Sequence, residues 1–134
     1  VVLRGKLDAL LNELTAGIIE KIDFSVPDNE ISLKVKVIEN KKETLFTVNI
    51  TKVSSYIYIQ DSGDRRFEMV KPDYLELTSI DYYEKGLGDI NIDSEEIWVK
   101  QYNSNANIAI EIWDSVLLIE AGMISINHEN FKLI

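Results

Sequence analysis

A chain of 134 residues with a formal charge of −9 and no cysteine is long enough for one hydrophobic core. It excludes disulfides, thiolate nucleophiles and thiolate metal sites together. With 46% hydrophobic and 28% charged residues it lies outside the disordered class, and no apolar run approaches the ~20 residues that span a bilayer.

Leu3, Leu7, Leu10, Leu11, Leu14 and Ile18 recur at intervals of three and four, which predicts an amphipathic helix over 3–20 with its Leu stripe against a core. These first residues lack the basic-then-apolar pattern of a secretory signal, so the expected compartment is the cytoplasm. Beyond Lys21 the period becomes two. Ile31, Leu33, Val35 and Val37 alternate with polar residues, Glu39 to Lys42 read as a turn, and Phe46, Val48 and Ile50 alternate on the return, a predicted hairpin. A further strand carries Tyr56 and Tyr58 on one face and Ile57 and Ile59 on the other, ending in a turn at Asp61 to Asp64.

Residues 73–83 are another strand candidate, and Glu84 to Ser94 has the loosest pattern. The last third reads as four short strands near 107–113, 116–120, 123–127 and 130–134, with turns at Asp114-Ser115, Ala121-Gly122 and Asn127 to Asn130. Connections this short join antiparallel neighbours. The expectation is one α+β, mainly β domain over 1–134. Its helix (3–20) packs on an antiparallel region (22–134) of about eight to ten strands, as a sandwich or partial barrel.

The charge is lopsided. Residues 1–67 hold ten acids and ten Lys/Arg; residues 68–134 hold thirteen acids and four. Such a field repels phosphate backbones and anionic lipid and attracts cationic partners, so neither nucleic acid nor membrane is an expected partner. Within the acidic half, Asp89, Asn91, Asp93 and Glu95 follow a calcium-loop spacing, but Ser94 stands where that loop turns on Gly and Lys100 where it needs a bidentate Glu. An exposed acidic edge fits the alternation with Ile90 and Ile92 better. Glu111, Asp114 and Glu120 form no local catalytic pair, the lone His128 sits in a predicted hairpin tip, and "EKGLGD" lacks the third Gly and the Lys of a phosphate loop. No catalytic residue, cofactor or metal is assigned.

Tyr and Trp beside carboxylates suit a protein-binding face, because they bring contact area at low conformational cost while the acids meet Lys or Arg. The candidate partner-binding set is therefore Asp89, Asp93, Glu95 and Glu96 for steering, with Tyr56, Tyr58 and Trp98 as anchors. Trp98, Trp113 and most of the tyrosines, each taken singly, read as core residues.

The phrases "VSSYIYI", "DYLELTSIDYYEKG" and "IEIWDSVLLIEAGMISIN" resemble those of small Bacillus-type proteins of the YxiG-like kind, often found near polymorphic-toxin genes. The resemblance implies a bacterial, cytoplasmic, non-enzymatic protein, and an immunity protein that binds and blocks a toxin domain. The expected function is thus a protein-binding module that neutralises a basic toxin domain through an acidic surface. The alternative is a small-ligand or carbohydrate-binding β domain, or a hydrolase using paired carboxylates.

Overall fold

Helix formation stops earlier than the Leu spacing predicts. The computed structural model describes residues 2–61, 63, 65–69 and 71–134, with side chains from residue 5 onward. Ser62 and Asp64 of the predicted turn and the Leu3 side chain therefore lie outside the described residues. Helix α1 is Val2–Glu13 and strand β1 already begins at Gly17 (Gly17–Ser25), which corrects the helix expected over 3–20. Two features end α1. Ala16 takes a left-handed φ of 65°, and a Cβ on Gly17 would come within 2.5 Å of Val35 Cγ1 and 2.9 Å of the Leu14 carbonyl. Only glycine lets the chain leave the helix this close to the neighbouring strand. Leu7, Leu11 and Leu14 still face the core as the stripe predicts.

β2 (Glu30–Glu39) returns to β3 (Lys42–Ile59) through Asn40 and Lys41, whose φ values of 52° and 65° are those of a type I′ turn. β4 (Leu75–Tyr82) pairs with β7 (Ile108–Ile112), and β7 with β8 (Ser115–Ile126). β9 (Glu129–Lys132) closes the chain after a second positive-φ turn at Asn127-His128. A separate pair, β5 (Ile90–Asn91) and β6 (Asn103–Ser104), flanks the four-residue helix α2 (Ile97–Lys100). The nine strands among the described residues are within the expected range.

The main sheet runs β3-β2-β1-β4-β7-β8, and β8 then pairs back onto β3, so six strands close a barrel with β9 added beside β8. A closed barrel replaces the expected sandwich or partial barrel. Closure depends on two strands being longer than the sequence punctuation suggests. Residues 42–50 of β3 pair with β2, whereas residues 48–59 pair with β8. The segments read as separate strands are thus one, bent where Lys52 takes a φ of 53° and the register shifts between Val53 and Ser55. A bulge of this kind sharpens the twist that a closing sheet needs.

The predicted turn at Ala121-Gly122 is likewise inside β8. Gly122 is there because a Cβ would stand 3.0 Å from Lys52 Cβ, and the buried positions shift phase from Leu117, Ile119 and Ala121 to Ile124 and Ile126 across it.

The interior is aliphatic. Leu33, Val35, Ile50, Leu77, Ile110 and Leu117 are all essentially solvent-free, each contributing ~1.5–3 kcal/mol by burial. α1 covers one end beside Ile80, Asp81 and Tyr82 of β4 and the following Tyr83 and is tied to β9 by Lys6 and Glu129 at 2.9 Å. The other end, at Leu75, stays open. Among the described residues no helix is long and apolar enough to cross a membrane.

Candidate functional site

Between β4 and β7 the chain makes a long excursion whose base is zipped by short-range polar contacts. The Tyr83 amide donates to the Asn107 carbonyl (2.8 Å) and the Leu87 amide to the Ala106 carbonyl (2.9 Å). Asn105 does the most: its Oδ1 accepts from the Gly88 amide (3.0 Å), its Nδ2 donates to the Lys85 carbonyl (3.2 Å), and its own amide donates to Glu120 Oε2 (3.1 Å). The Asn105 side chain fills the space a Cβ on Gly86 would need, and Gly86 has a φ of 76°. Both reasons require glycine there.

One step further out, Ile90 pairs with Ser104 and Asn91 with Asn103. The buried Ser104 hydroxyl meets that of Ser55, and Glu120 accepts from Ser54. These contacts seat the excursion on the outer face of β3 and β8, since Ser55 is paired directly with Glu120.

From this base projects an 11-residue tip, 92–102, none of whose side chains is buried. Ser94 Oγ accepts from the Glu96 amide (3.0 Å) and starts the turn into α2. The tip holds large apolar groups in solvent: Ile97 is 84% and Trp98 63% exposed, with Ile92 and Tyr102 also exposed. Asp93, Glu95 and Glu96 stand among them and Asp89 at the base. All four are exposed, and none is ion-paired with a Lys or Arg among the described residues. The calcium-loop spacing of 89, 91, 93 and 95 is stretched over β5 and the following turn. Among the described residues no three His, Asp or Glu side chains are grouped as a metal set.

The structure brings Trp98 together with the four acids but puts Tyr56 and Tyr58 elsewhere. Tyr56 pairs with Ile119 and Tyr58 with Leu117, both buried, so the two tyrosines point to the barrel side of β3 while Ser55 carries the excursion on the outside. Tyr56 stacks on Phe24 (centroids 5.0 Å apart, 26° between planes). Tyr58 lines a cleft of about 300 Å³ at the open end with Leu75, Ile112 and Trp113. Trp113, read as core, sits in the β7–β8 turn with a φ of 53° and is 40% exposed.

Sequence reasoning missed Ile97 and Tyr102 as tip groups and Asn105 and Asn107 as anchors. The available signal was the run "NSNAN" at 103–107, because Asn side chains standing before a strand compete for backbone groups.

The match to known proteins spans this whole arrangement. The chain is 30% identical over 112 residues to the uncharacterised protein YxiG of Bacillus subtilis (strain 168), covering 82% of this chain and 78% of that one. A model of the YxiG-like protein family matches residues 7–131, from α1 into β9, and the chain belongs to that family.

Proposed function

We propose that the chain is a non-enzymatic protein-binding module of the immunity type, whose acidic, apolar-tipped finger docks on a basic partner such as a toxin domain in the cytoplasm. One observation carries this reading: Ile92, Ile97, Trp98 and Tyr102 are held in solvent on the same tip as Asp93, Glu95 and Glu96, none of which is ion-paired with a Lys or Arg among the described residues. Apolar groups cost free energy when left in water, and a set of them ringed by charge is the composition of an interface centre with its rim. A buried Trp anchor is worth ~2 kcal/mol or more in a complex, whereas each exposed acid adds ~0–1 kcal/mol and acts mainly on the encounter rate.

The test is capture from the native cell, compared between two variants with the same change in net charge. One reverses Asp89, Asp93, Glu95 and Glu96 to Lys; the other reverses Glu13, Glu30, Glu39 and Glu43, which are exposed on other parts of the molecule. The first is expected to slow association with the retained basic protein at least ~10-fold at low salt and to flatten its salt dependence. The second is expected to change it far less. Equal effects of the two variants would contradict a role for the finger.

A further inference from the structure

The open end of the barrel is a second candidate, built from different residues on a different face. Tyr58, Leu75 and Ile112 come from β3, β4 and β7, and their register partners Leu117, Ile19 and Leu77 are all buried. These side chains therefore continue the core-facing rows past the point where the core is packed. Tyr58, Leu75 and Trp113 consequently keep between 38% and 54% exposure around this cleft. The Trp113 ring is not loose: Tyr74 lies 5.4 Å from it at 57°, and Trp113 Nε1 donates to the Tyr74 carbonyl at 3.1 Å. Barrel mouths are common binding positions, and the 300 Å³ cleft is at the small end of the ~300–1,000 Å³ range of ligand sites.

The rim selects the charge of an occupant. Asp61 and Asp114 line the cleft, and neither is ion-paired with a Lys or Arg among the described residues. The lining includes one cation, Arg65, whose Nε is bonded to Glu68 Oε2 at 2.9 Å. Glu68 first, then Asp61 and Asp114, hold the Arg65 guanidinium above its ordinary pKa. An anionic ligand would meet two carboxylates with the arginine already engaged. A neutral sugar would leave those two carboxylates sharing Arg65, which Glu68 already engages, as their counter-charge. A cation with an apolar stem satisfies both the carboxylates and the negative faces of the rings.

We propose that this mouth receives a basic side chain, an arginine or lysine of the partner protein, with its stem against Trp113 and Tyr58 and its charge toward Asp61 and Asp114. The proposal rests on the partner being a basic protein and adds a contact that the finger does not make.

It is tested on the full chain carrying Trp98→Phe, which leaves Trp113 as the sole tryptophan reporter. N-acetyl-arginine amide, N-acetyl-lysine amide, the neutral isostere N-acetyl-citrulline amide and glucose are titrated against Trp113 fluorescence. A saturable change is expected with the two cations, at a Kd on the order of 1–10 mM, weakened about 10-fold by Asp61→Asn with Asp114→Asn. Thermal melting of that double variant checks that its fold is kept. An equal response to the citrulline amide, saturation by glucose alone, or no saturable response would overturn the proposal. If the titration fails while capture still depends on the four finger acids, the mouth proposal falls alone. If it succeeds while capture ignores those acids, the finger reading falls and the mouth site stands.

Discussion

Replacing Ile92 to Tyr102 by an Asn-Gly turn that joins Asn91 to Asn103 is expected to leave the barrel folded and to weaken partner capture at least ~100-fold, the size of losing two interface anchors. Asn91 and Asn103 are already register partners in an antiparallel pair, so a two-residue turn can close the shortened finger. The excised segment contributes no buried side chain, and the anchors at Asn105, Ser104 and Glu120 are retained. Its removal should move the melting temperature by no more than ~4 °C, since surface changes of this kind cost about 0.5 kcal/mol or less. Melting by circular dichroism together with capture measures both halves. A folded variant that still binds at full strength would remove the tip from the interface.

A change of one buried residue should cost the barrel more than the loss of the whole tip. Asn107 is 4% exposed and bonds Ala121 through both ends of its amide, accepting from the Ala121 nitrogen at 3.0 Å and donating to the Ala121 oxygen at 2.9 Å. β7 pairs with β8 only as far as Ile119, and β9 begins pairing at Met123. The Asn107 side chain thus substitutes for a strand backbone at the intervening residue. Asn107→Ala leaves a buried donor and a buried acceptor unmade, at ~1–3 kcal/mol each, so a loss of about 2–5 kcal/mol is expected from the urea midpoint. Asn107→Asp keeps the acceptor, removes the donor and buries a charge, and should be no better tolerated. A loss below ~1 kcal/mol for the alanine variant would mean that Ala121 finds other partners.

Much of this architecture can be read locally, and the parts that cannot are those set by distant residues. The alternation at 31–37 and 46–50 is legible because one face of each strand is buried and the other wet. The turns at Asn40-Lys41 and Asn127-His128 are legible because Asn tolerates positive φ. The end of α1 is not, since Ile18 falls at helical spacing from Leu14 and only the approach of Val35 to Gly17 explains the break. Gly122 looks like a turn residue until Lys52 is known to lie against it.

Barrel closure is invisible for the same reason: β3 and β8 are more than fifty residues apart in the chain and no local signal announces their pairing. At the site, the exposure of Asp89, Asp93, Glu95 and Glu96 follows from their polar context, whereas Trp98, which taken singly reads as core, is 63% exposed. The alternation puts Tyr56 and Tyr58 on one face, as their pairing with Ile119 and Leu117 shows, but Ile57 and Ile59 are as apolar, so the alternation alone does not select the inner face. Trp113 misled because an aromatic after an alternating run looks buried, whereas the two-residue turn holds it at the rim.

The finger as the recognition element is tested most directly by hydrogen–deuterium exchange of the chain alone and with its captured partner. Slowed exchange is expected to concentrate in 92–102, with the α1 and β9 amides unchanged. Protection confined to α1 and β9, with the tip exchanging as fast in the complex as in the free chain, would contradict it.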